Sequence, residues 1–178
     1  NIIAKLAHGI ADDMLSTTAL ACSAKKIVSP SMNVHMFENP SVKDNLNILK
    51  KYDMEVVEPA VGYLACGDTG AGKMPDPEVL YEYIIKEIAC EKDLKGKKIM
   101  VTAGPTQEAI DPVRYITNHS TGKMGYAIAK RAMLRGADVT LVSGPVALDP
   151  VPFVKMVPVT TAQDMFEAVS GGFPEQDI

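Results

Sequence analysis

The feature that most constrains the fold is an alternation of strand and helix signals in the second half of the chain. Residues 98–102 and 138–143 are short apolar runs typical of buried strands, and residues 123–135 have a helical pattern. Gly136 marks a turn between the helix and the second strand. Such a strand–helix–strand unit places its two strands parallel in one sheet, with a right-handed crossover.

The first half of the chain, and the last third, continue this alternation. The apolar periodicity predicts helices over residues 1–24, 41–51, 77–91 and 162–170, and short strands over residues 26–29, 55–58 and 155–158. Residues 59–74 are rich in glycine and small side chains, which predicts a long loop with a functional role. The chain is therefore expected to have an α/β architecture.

Composition excludes several classes of protein. With 47% hydrophobic and 22% charged residues, the chain has the composition of an ordinary globular protein. A net charge of −4 and the lack of tryptophan argue against a nucleic-acid partner. Three scattered cysteines without metal-ligand spacing argue against a disulfide framework and a structural zinc site, and favour a cytoplasmic setting. We expect no membrane span, because no apolar run is long enough.

A charged segment divides the sequence. Its lysines and acidic residues predict a first domain over residues 1–92, a linker over 93–97 and a second domain over 98–178. The chain begins without methionine and stops just after a turn. We therefore expect both ends to be truncations within a longer protein.

Two motifs in the first half suggest a ligand site. Pro30-Ser31-Met32-Asn33 follows a predicted strand, where open α/β sheets bind ligands, and the Asn33 amide can both donate and accept hydrogen bonds. Taken alone, Asn33 is better explained as a turn residue, and Met32 and Met36 as core residues. Cys66 begins a glycine-rich segment that we interpret as a mobile flap, although a lone cysteine is more often structural.

The same flap fits the spacing of a phosphate loop but not its context. Residues 67–73 match G-x-x-x-x-G-K, yet Met74 stands where magnesium needs serine or threonine, and no clear strand leads into the segment. We do not interpret it as a phosphate loop. No metal ligands are assigned anywhere in the chain.

Two motifs in the second half predict a site for a phosphate-bearing ligand. Gly104-Pro105-Thr106 follows a strand, and Ser120-Thr121-Gly122 opens the next helix, so that free N–H groups and the helix dipole favour an anion. The alternative is a connecting loop capped by a helix. Arg114 could bind a carboxylate or phosphate bidentately, or be a solvated surface charge.

Together these segments resemble the bifunctional phosphopantothenoylcysteine decarboxylase/phosphopantothenate–cysteine ligase family of coenzyme A biosynthesis. The resemblance covers essentially all 178 residues and rests on Asn33, on Leu64-Ala65-Cys66-Gly67-Asp68, and on the motifs at 102–106 and 111–118. It implies the C-terminal part of a flavodoxin-like, Rossmann-type flavoprotein domain. The N-terminal part of a second Rossmann-like α/β ligase domain would follow.

The resemblance implies two reactions. The ligase activates 4′-phosphopantothenate with CTP and Mg²⁺ as an acyl-cytidylate and passes the acyl group to cysteine. The decarboxylase uses FMN to oxidise the cysteinyl thiol to a thioaldehyde, releases carbon dioxide, and returns an enethiol to the thiol of 4′-phosphopantetheine. The family also forms homo-oligomers.

The resemblance assigns roles by position. In the decarboxylase part, Asn33 would bind the substrate carboxylate, Cys66 would protonate the enethiol, and three residues would lie beside flavin and substrate: Asn1, Met32 and Met36. In the ligase part, Asn118 would handle the acyl-cytidylate with Arg114 as its partner, and four residues would line the nucleotide phosphates: Gly104, Thr106, Ser120 and Gly122.

The sequence departs from the family pattern at Phe37, where tryptophan is common, and lacks the segments with the catalytic histidine and the ligase lysine loop. We therefore expect these 178 residues alone to be inactive. Two other hypotheses stay open: a non-catalytic flavin-binding regulatory subunit of the same fold, and a single-function Rossmann oxidoreductase.

Overall fold

The computed structural model describes residues 2–64 and 67–178, and the chain divides into two compact units, Asn1–Glu87 and Ile88–Ile178. The segment 93–97 lies inside the second unit, where the Leu94 amide donates to the Arg135 carbonyl and the Lys97 amide donates to the Leu94 carbonyl. Each unit is described by itself.

The first unit contains five helices and four strands among its described residues. The helices are α1 (Ile2–His8), α2 (Met14–Ala21), α3 (Val34–Glu38), α4 (Pro40–Lys51) and α5 (Pro77–Ile88). The strands are β1 (Ile27–Val28) and β2 (Glu55–Val56), which pair in parallel, and β3 (Ala60–Tyr63) and β4 (Thr69–Lys73), which pair antiparallel.

Two predictions for this unit are wrong. The helix predicted over residues 1–24 is two helices, because Gly9 adopts a left-handed φ of 66° and Asp13 caps α2 by accepting from the Ser16 amide. The loop predicted over residues 59–74 contains the β3–β4 hairpin. Its glycines gave little strand signal, because β propensity comes from side chains that pack on the sheet.

The core of the first unit joins α1 and α4 to the parallel strands. Ile3 and Ala7 of α1 pack with Leu46 and Leu49 of α4, and Val56 of β2 completes the buried cluster. The i, i+3 and i, i+4 spacings put each pair on one helix face. This packing fixes β1, whose carboxyl end leads into the loop at Pro30.

The second unit is built on a parallel sheet. Its strands are β5 (Lys98–Ala103), β6 (Gln107–Ala109), β7 (Tyr115–Thr117), β8 (Asp138–Ser143) and β9 (Lys155–Pro158), and its helices are α6 (Lys123–Leu134), α7 (Ala162–Gly172) and a 3₁₀ turn at Phe173–Glu175. The sheet order is β5-β8-β9, all parallel, which confirms the predicted strand–helix–strand unit. The predicted loop over 103–122 contains instead an antiparallel β6–β7 hairpin.

The sheet continues on the other edge of β5. The Met100 amide donates to the Ile178 carbonyl, and the amides of Asp177 and Ile178 donate to the Lys98 carbonyl. Residues 177–178 therefore run alongside β5 on the edge that does not face β8, so that the order of the strands reverses at β5. In open α/β sheets, ligands bind beyond the carboxyl ends of the strands at such a switch point.

The core of the second unit lies between β8 and α6. Val139, Leu141 and Val142 of β8 are almost fully buried, and so are Ala129 and Met133 of α6, a helix that packs against β5 and β8. No helix in the described part of the chain is long and apolar enough to cross a membrane.

Candidate functional site

In the first unit, the loop that follows β1 fixes the Asn33 side chain from two sides. Its Oδ1 atom accepts from the His35 amide at 2.9 Å and so caps α3, and its Nδ2 atom donates to Asp68 Oδ2 at 3.2 Å. If the amide were flipped, its NH₂ group would face the N–H of His35 and its oxygen would face the carboxylate of Asp68. Neither pair can form a hydrogen bond. Both neighbours therefore enforce one orientation of the amide.

The β3–β4 hairpin is joined to this loop through its second strand. The Met32 amide donates to the Gly72 carbonyl at 3.0 Å, and Ser31 Oγ donates to the same carbonyl at 3.2 Å. Gly72 has a φ of 142°, and a Cβ atom there would lie 2.2 Å from the Met32 carbonyl oxygen. Only glycine allows the strand to approach the loop this closely.

The tip of the hairpin is closed by main-chain bonds. The Leu64 amide donates to the Asp68 carbonyl at 2.8 Å, and the Gly67 amide donates to the Leu64 carbonyl at 2.9 Å. The predicted catalytic Cys66 lies between these residues but outside the described part of the chain, and the predicted contact residue Asn1 also lies outside it. The residues that flank Cys66 hold Asp68 beside Asn33.

The two methionines predicted beside a ligand have different environments. Met32 is partly buried and packs against the core cluster, whereas the Met36 side chain is 53% exposed. Ser29, at the carboxyl end of β1, has a buried Oγ atom without a hydrogen-bond partner among residues 2–64 and 67–178. Buried hydroxyls normally have a partner, so this edge fits a ligand that supplies a polar atom.

One cavity of the first unit lies elsewhere. A space of about 470 Å³ between α1 and α2 reaches Lys26 and Met54, which precede β1 and β2. It is therefore at the amino ends of the parallel strands, the edge that α/β proteins rarely use for ligands. We place the candidate site at Asn33, because this residue has an oriented amide and follows the carboxyl end of β1, the end at which α/β proteins bind ligands.

In the second unit, the two predicted glycine motifs meet at one cavity of about 240 Å³. It lies beyond the carboxyl end of β5 and at the start of α6, and it is lined by Thr102, Ala103, Gly104, Ser120, Thr121, Gly122, Lys123, Met124, Gly125 and Met165. Three of the predicted residues, Gly104, Ser120 and Gly122, are thus brought together as expected from their sequence context.

Glycine is required at both motifs. Gly104 and Gly122 have φ values of 78° and 74°, and a Cβ atom on either residue would lie 2.9 Å from Val146 Cγ1. Gly122 is the N-cap of α6 and has no side chain to cap the helix. The first N–H groups of α6 therefore open beside the cavity together with Lys123, a positive environment that suits an anion.

Asn118 and Thr106 do not line this cavity. The Asn118 Oδ1 atom accepts from the Ser120 amide at 2.9 Å, and Ser120 Oγ accepts from the Gly122 amide at 3.4 Å. The Thr106 carbonyl accepts from Thr117 Oγ1 at 2.8 Å, at the base of the β6–β7 hairpin. These contacts shape the loop that leads to the cavity.

Arg114 is bound within its own hairpin. Its Nε atom donates to Asp111 Oδ2 at 2.6 Å, and its side chain is 72% exposed. The backbone N–H of Val113, followed by the Arg114 guanidinium, holds the pKa of Asp111 below its usual value. Arg114 is not among the residues that line the cavity.

Two groups have no local signal in the sequence. Asp68 belongs to the flap motif, but nothing local connects it to Asn33, 35 residues earlier. Tyr126 of α6 and the buried Ser143 of β8 share a hydrogen bond of 3.1 Å, and Ser143 Oγ donates to the Gly144 carbonyl. Within residues 2–64 and 67–178, no three His, Cys, Asp or Glu side chains are grouped to hold a metal ion.

Two families match the chain, one for each half. The family described as Flavoprotein matches residues 1–89, and the family described as DNA/pantothenate metabolism flavoprotein C-terminal domain matches residues 94–178. The chain belongs to the flavoprotein family. The division between the two matches lies close to the division of the structure into units.

Similar proteins confirm the resemblance to the bifunctional family. The chain is 50% identical over 181 residues to the coenzyme A biosynthesis bifunctional protein CoaBC of Bacillus subtilis, covering all of this chain and 45% of that protein. It is 47% identical over 178 residues to the protein of that name from Escherichia coli K12, covering all of this chain and 44% of the relative. The chain thus spans less than half the length of these relatives.

A solved structure of the C-terminal domain of CoaBC is also similar. The two sequences are 58% identical where they align. The alignment covers 47% of this chain and 43% of the solved one, and the TM-score is 0.47.

Proposed function

We propose that these residues belong to a bifunctional enzyme of coenzyme A biosynthesis. The first unit would take part in the decarboxylation of 4′-phosphopantothenoylcysteine to 4′-phosphopantetheine. The second would take part in the CTP-dependent condensation of 4′-phosphopantothenate with cysteine. The observation that carries this proposal is the Asn33 amide, held in one orientation beside the hairpin that bears Cys66.

FMN is proposed as the cofactor of the first unit. The carboxyl edge of β1 fits such a ligand, because Ser29 has a buried hydroxyl without a partner in the described ranges and Met36 presents an exposed apolar side chain. Bound FMN would supply reversible two-electron oxidation of the cysteinyl thiol. Asn1, Met32 and Met36 are proposed to lie beside it and the substrate.

Asn33 is proposed to hold the carboxylate that is lost. One hydrogen of its Nδ2 group points to Asp68, so that the donor group of the amide is held toward the hairpin. A hydrogen bond to the carboxylate at this point would orient the bond that breaks. Such orientation lowers the entropic part of the barrier.

Cys66 is proposed as the acid that protonates the enethiol. The described residues on either side of it form the tip of a hairpin joined to the Asn33 loop by hydrogen bonds. A thiol in this segment of the chain is therefore proposed to act near a substrate held by Asn33.

The cavity of the second unit is proposed to take the phosphates of CTP. Backbone N–H groups at the start of α6, Lys123 and the hydroxyls of Ser120 and Thr121 surround it. These are the groups that bind phosphate at helix N-termini. Gly104, Thr106, Ser120 and Gly122 are proposed to line or shape this site.

Asn118 and Arg114 are proposed to act on the acyl-cytidylate. Both lie in the segment between β5 and α6, and both are held by local hydrogen bonds, Asn118 to Ser120 and Arg114 to Asp111. Mg²⁺ is proposed to accompany the triphosphate. We assign no residue of this chain as its ligand.

The proposed enzyme is cytoplasmic, acts on small molecules, and forms homo-oligomers. A non-catalytic flavin-binding regulatory subunit is the alternative from another functional class. No observation in the described structure favours this alternative. A regulatory subunit would not need a second domain, yet residues 94–178 match a second family.

The test uses the full-length protein that carries these residues, supplied with 4′-phosphopantothenate, cysteine, CTP and Mg²⁺, with products followed by mass spectrometry. We expect 4′-phosphopantetheine and CMP. Accumulation of the cysteine conjugate would support the ligase and contradict the decarboxylase. Bound flavin with no turnover would favour the regulatory subunit.

A Cys66→Ser variant separates the two halves. It should keep the release of CMP and stop at an oxidised, already decarboxylated product, because serine is a much weaker acid than cysteine. Normal formation of 4′-phosphopantetheine would contradict the role of Cys66.

A further inference from the structure

One methyl group of Val146 lies against both glycine motifs of the second unit. A Cβ atom built on Gly104 or on Gly122 would lie 2.9 Å from the same atom, Val146 Cγ1. The two glycines also lie against each other, since a Cβ atom on Gly122 would be 3.4 Å from the Gly104 nitrogen. The Val146 methyl group therefore fills the space that side chains on the two motifs would otherwise occupy.

The segment that carries Val146 is bound to the sheet. The Gly144 amide donates to the Ala103 carbonyl at 2.9 Å, which extends the pairing of β8 with β5 by one residue. A Cβ atom at Gly144 would overlap the Pro105 carbonyl oxygen, so this segment runs directly against the first glycine motif. The sheet thus determines where Val146 lies.

A second attachment joins the same segment to α6. The Tyr126 hydroxyl of α6 and Ser143 Oγ at the end of β8 share a hydrogen bond of 3.1 Å, and Ser143 Oγ donates to the Gly144 carbonyl at 2.9 Å. α6 begins beside the cavity, and Gly122 is its N-cap. The segment before Val146 is therefore attached both to the strand that precedes the cavity and to the helix that follows it.

We propose that Val146 is a positioning residue that sets the separation of the two glycine motifs around the cavity. This inference rests on the proposed binding of the CTP phosphates there. Val146 is half-buried and is not among the described residues that line the cavity, so it acts through the two motifs and not on the ligand. Backbone N–H groups that bind one phosphate together need fixed relative positions, and the Val146 methyl group keeps Gly104 and Gly122 at one spacing.

The kinetic test uses the full-length protein, with the KM for CTP measured from the release of CMP. For Val146→Ala, KM should rise roughly threefold with kcat changed less than about twofold, the modest size typical of a residue that alters binding without touching the ligand. Val154→Ala is the matched control, because Val154 is also half-buried but lies beside the amino end of β9, at the opposite edge of the sheet. Its KM should equal that of the wild type. An unchanged KM in Val146→Ala would overturn the proposal.

A double variant gives the sharper test, since shortening Val146 should make room for a side chain at Gly122. Gly122→Ala alone should raise the KM for CTP about tenfold, because its Cβ atom meets Val146 Cγ1. Independent effects of the two changes would multiply to about thirtyfold. Instead, we expect the double variant to have a lower KM than Gly122→Ala alone, because the closest contact is removed. A KM at or above that of Gly122→Ala would overturn the proposal.

Shortening Val146 should help Gly104→Ala less than it helps Gly122→Ala. A Cβ atom at Gly104 would also lie 3.1 Å from the Gly144 carbonyl oxygen, a contact that Val146→Ala does not remove. Greater rescue at Gly104 than at Gly122 would contradict the assigned contacts. Rescue of either variant by Val154→Ala would overturn the proposal, because a general loosening of the unit would then explain the effect.

Hydrogen exchange without ligand separates failure of this inference from failure of the proposed function. Gly122→Ala should speed amide exchange in residues 121–126, and the addition of Val146→Ala should slow it again. This result in a protein that does not release CMP would keep the positioning of the two motifs and reject the function. A wild type that releases CMP, with exchange in the double variant as fast as in Gly122→Ala, would keep the function and reject the role of Val146.

Discussion

The two candidate sites are built in different ways. In the first unit, side chains form the site: Asn33 is fixed by His35 and Asp68, and a hairpin is laid over the loop. In the second unit, the absence of side chains forms the site: Gly104 and Gly122 adopt left-handed φ values and leave backbone N–H groups open beside a cavity. The difference suits the proposed ligands, since a carboxylate needs one oriented donor and a polyphosphate needs many.

The two sites should therefore lose function in different ways. A site made from oriented side chains loses function when one hydrogen bond is removed, with little change in the fold. A site made from close backbone packing loses function when any atom is added. Substitutions that remove atoms in one unit and add atoms in the other therefore test the comparison directly.

The largest effect is expected from Asn33→Ala. Loss of a hydrogen bond to a carboxylate costs about 1.5–3 kcal/mol, so kcat/KM for decarboxylation should fall roughly 10- to 150-fold. Release of CMP by the ligase should stay normal, and steady-state assays of the two half-reactions measure both values. Equal loss of both activities would contradict the assignment of Asn33 to one unit.

The next largest effect is expected from Gly122→Ala. A Cβ atom there would lie 2.9 Å from Val146 Cγ1, at a residue whose φ of 74° disfavours side chains. We expect the KM for CTP to rise about tenfold with decarboxylation unchanged, since such backbone strain costs of order 1–3 kcal/mol.

Gly171→Ala is the matched control for this change. A Cβ atom at Gly171, in α7, would meet nothing within 4 Å, so its KM for CTP should equal that of the wild type. If Gly122→Ala also bound CTP normally, the cavity at the start of α6 would not be the nucleotide site.

A smaller effect is expected from Thr161→Ala, which tests the fold of the second unit and not its site. Thr161 caps α7 by accepting from the Asp164 amide at 3.0 Å, and Asp164 Oδ2 accepts from the Thr161 amide at 2.8 Å. Loss of the cap should lower the free energy of unfolding by about 1 kcal/mol, measured by urea denaturation. Thr160→Ala, at the exposed neighbour, is the control, and an equal effect of both changes would contradict the capping role.

The smallest effect is expected from a change of pH acting on Asp13. The Lys5 ammonium, followed by the Ser16 amide, holds the pKa of this exposed carboxyl well below its usual value. A lowered pKa in the folded state contributes stability at neutral pH, and this contribution is lost as the pH falls below the unfolded value of about 4.

Asp13→Asn keeps the helix cap and removes the charge, so it isolates this contribution. The difference in melting temperature between wild type and variant should be small at pH 7 and should shrink toward pH 3. Asp44→Asn, on the exposed face of α4, controls for net charge. A difference that grows as the pH falls would contradict the assignment.

Much of the fold was predictable because its signals are local. The strand Asp138–Ser143 and the strand Lys155–Pro158 have the bounds that their apolar runs predicted, and α6 ends one residue before the predicted position. Gly104, Ser120 and Gly122 could be grouped from sequence because a strand and the helix that follows it bring their ends together by topology.

The hairpins were not predictable in this way. Residues 69–73 contain two glycines and no bulky apolar side chain, and they form a strand because Gly70 and Gly72 fit against Val34 and the Met32 carbonyl. The partners that stabilise this strand lie outside the local sequence window. The break of the first helix is different, because Gly9 and the Asp13 cap that produce it lie within a few residues of it.

The α/β class, the parallel pairing of the predicted strands at 98–102 and 138–143, and the positions of the glycine and asparagine motifs follow from the sequence alone. Each depends on periodicity or on a residue type that its backbone geometry requires. The contact between Asp68 and Asn33, which lie 35 residues apart, is specified only by the tertiary structure. Hydrogen-bond partners depend on distances of a few ångströms between side chains. Those distances are set by the packing of whole elements, which no local pattern contains.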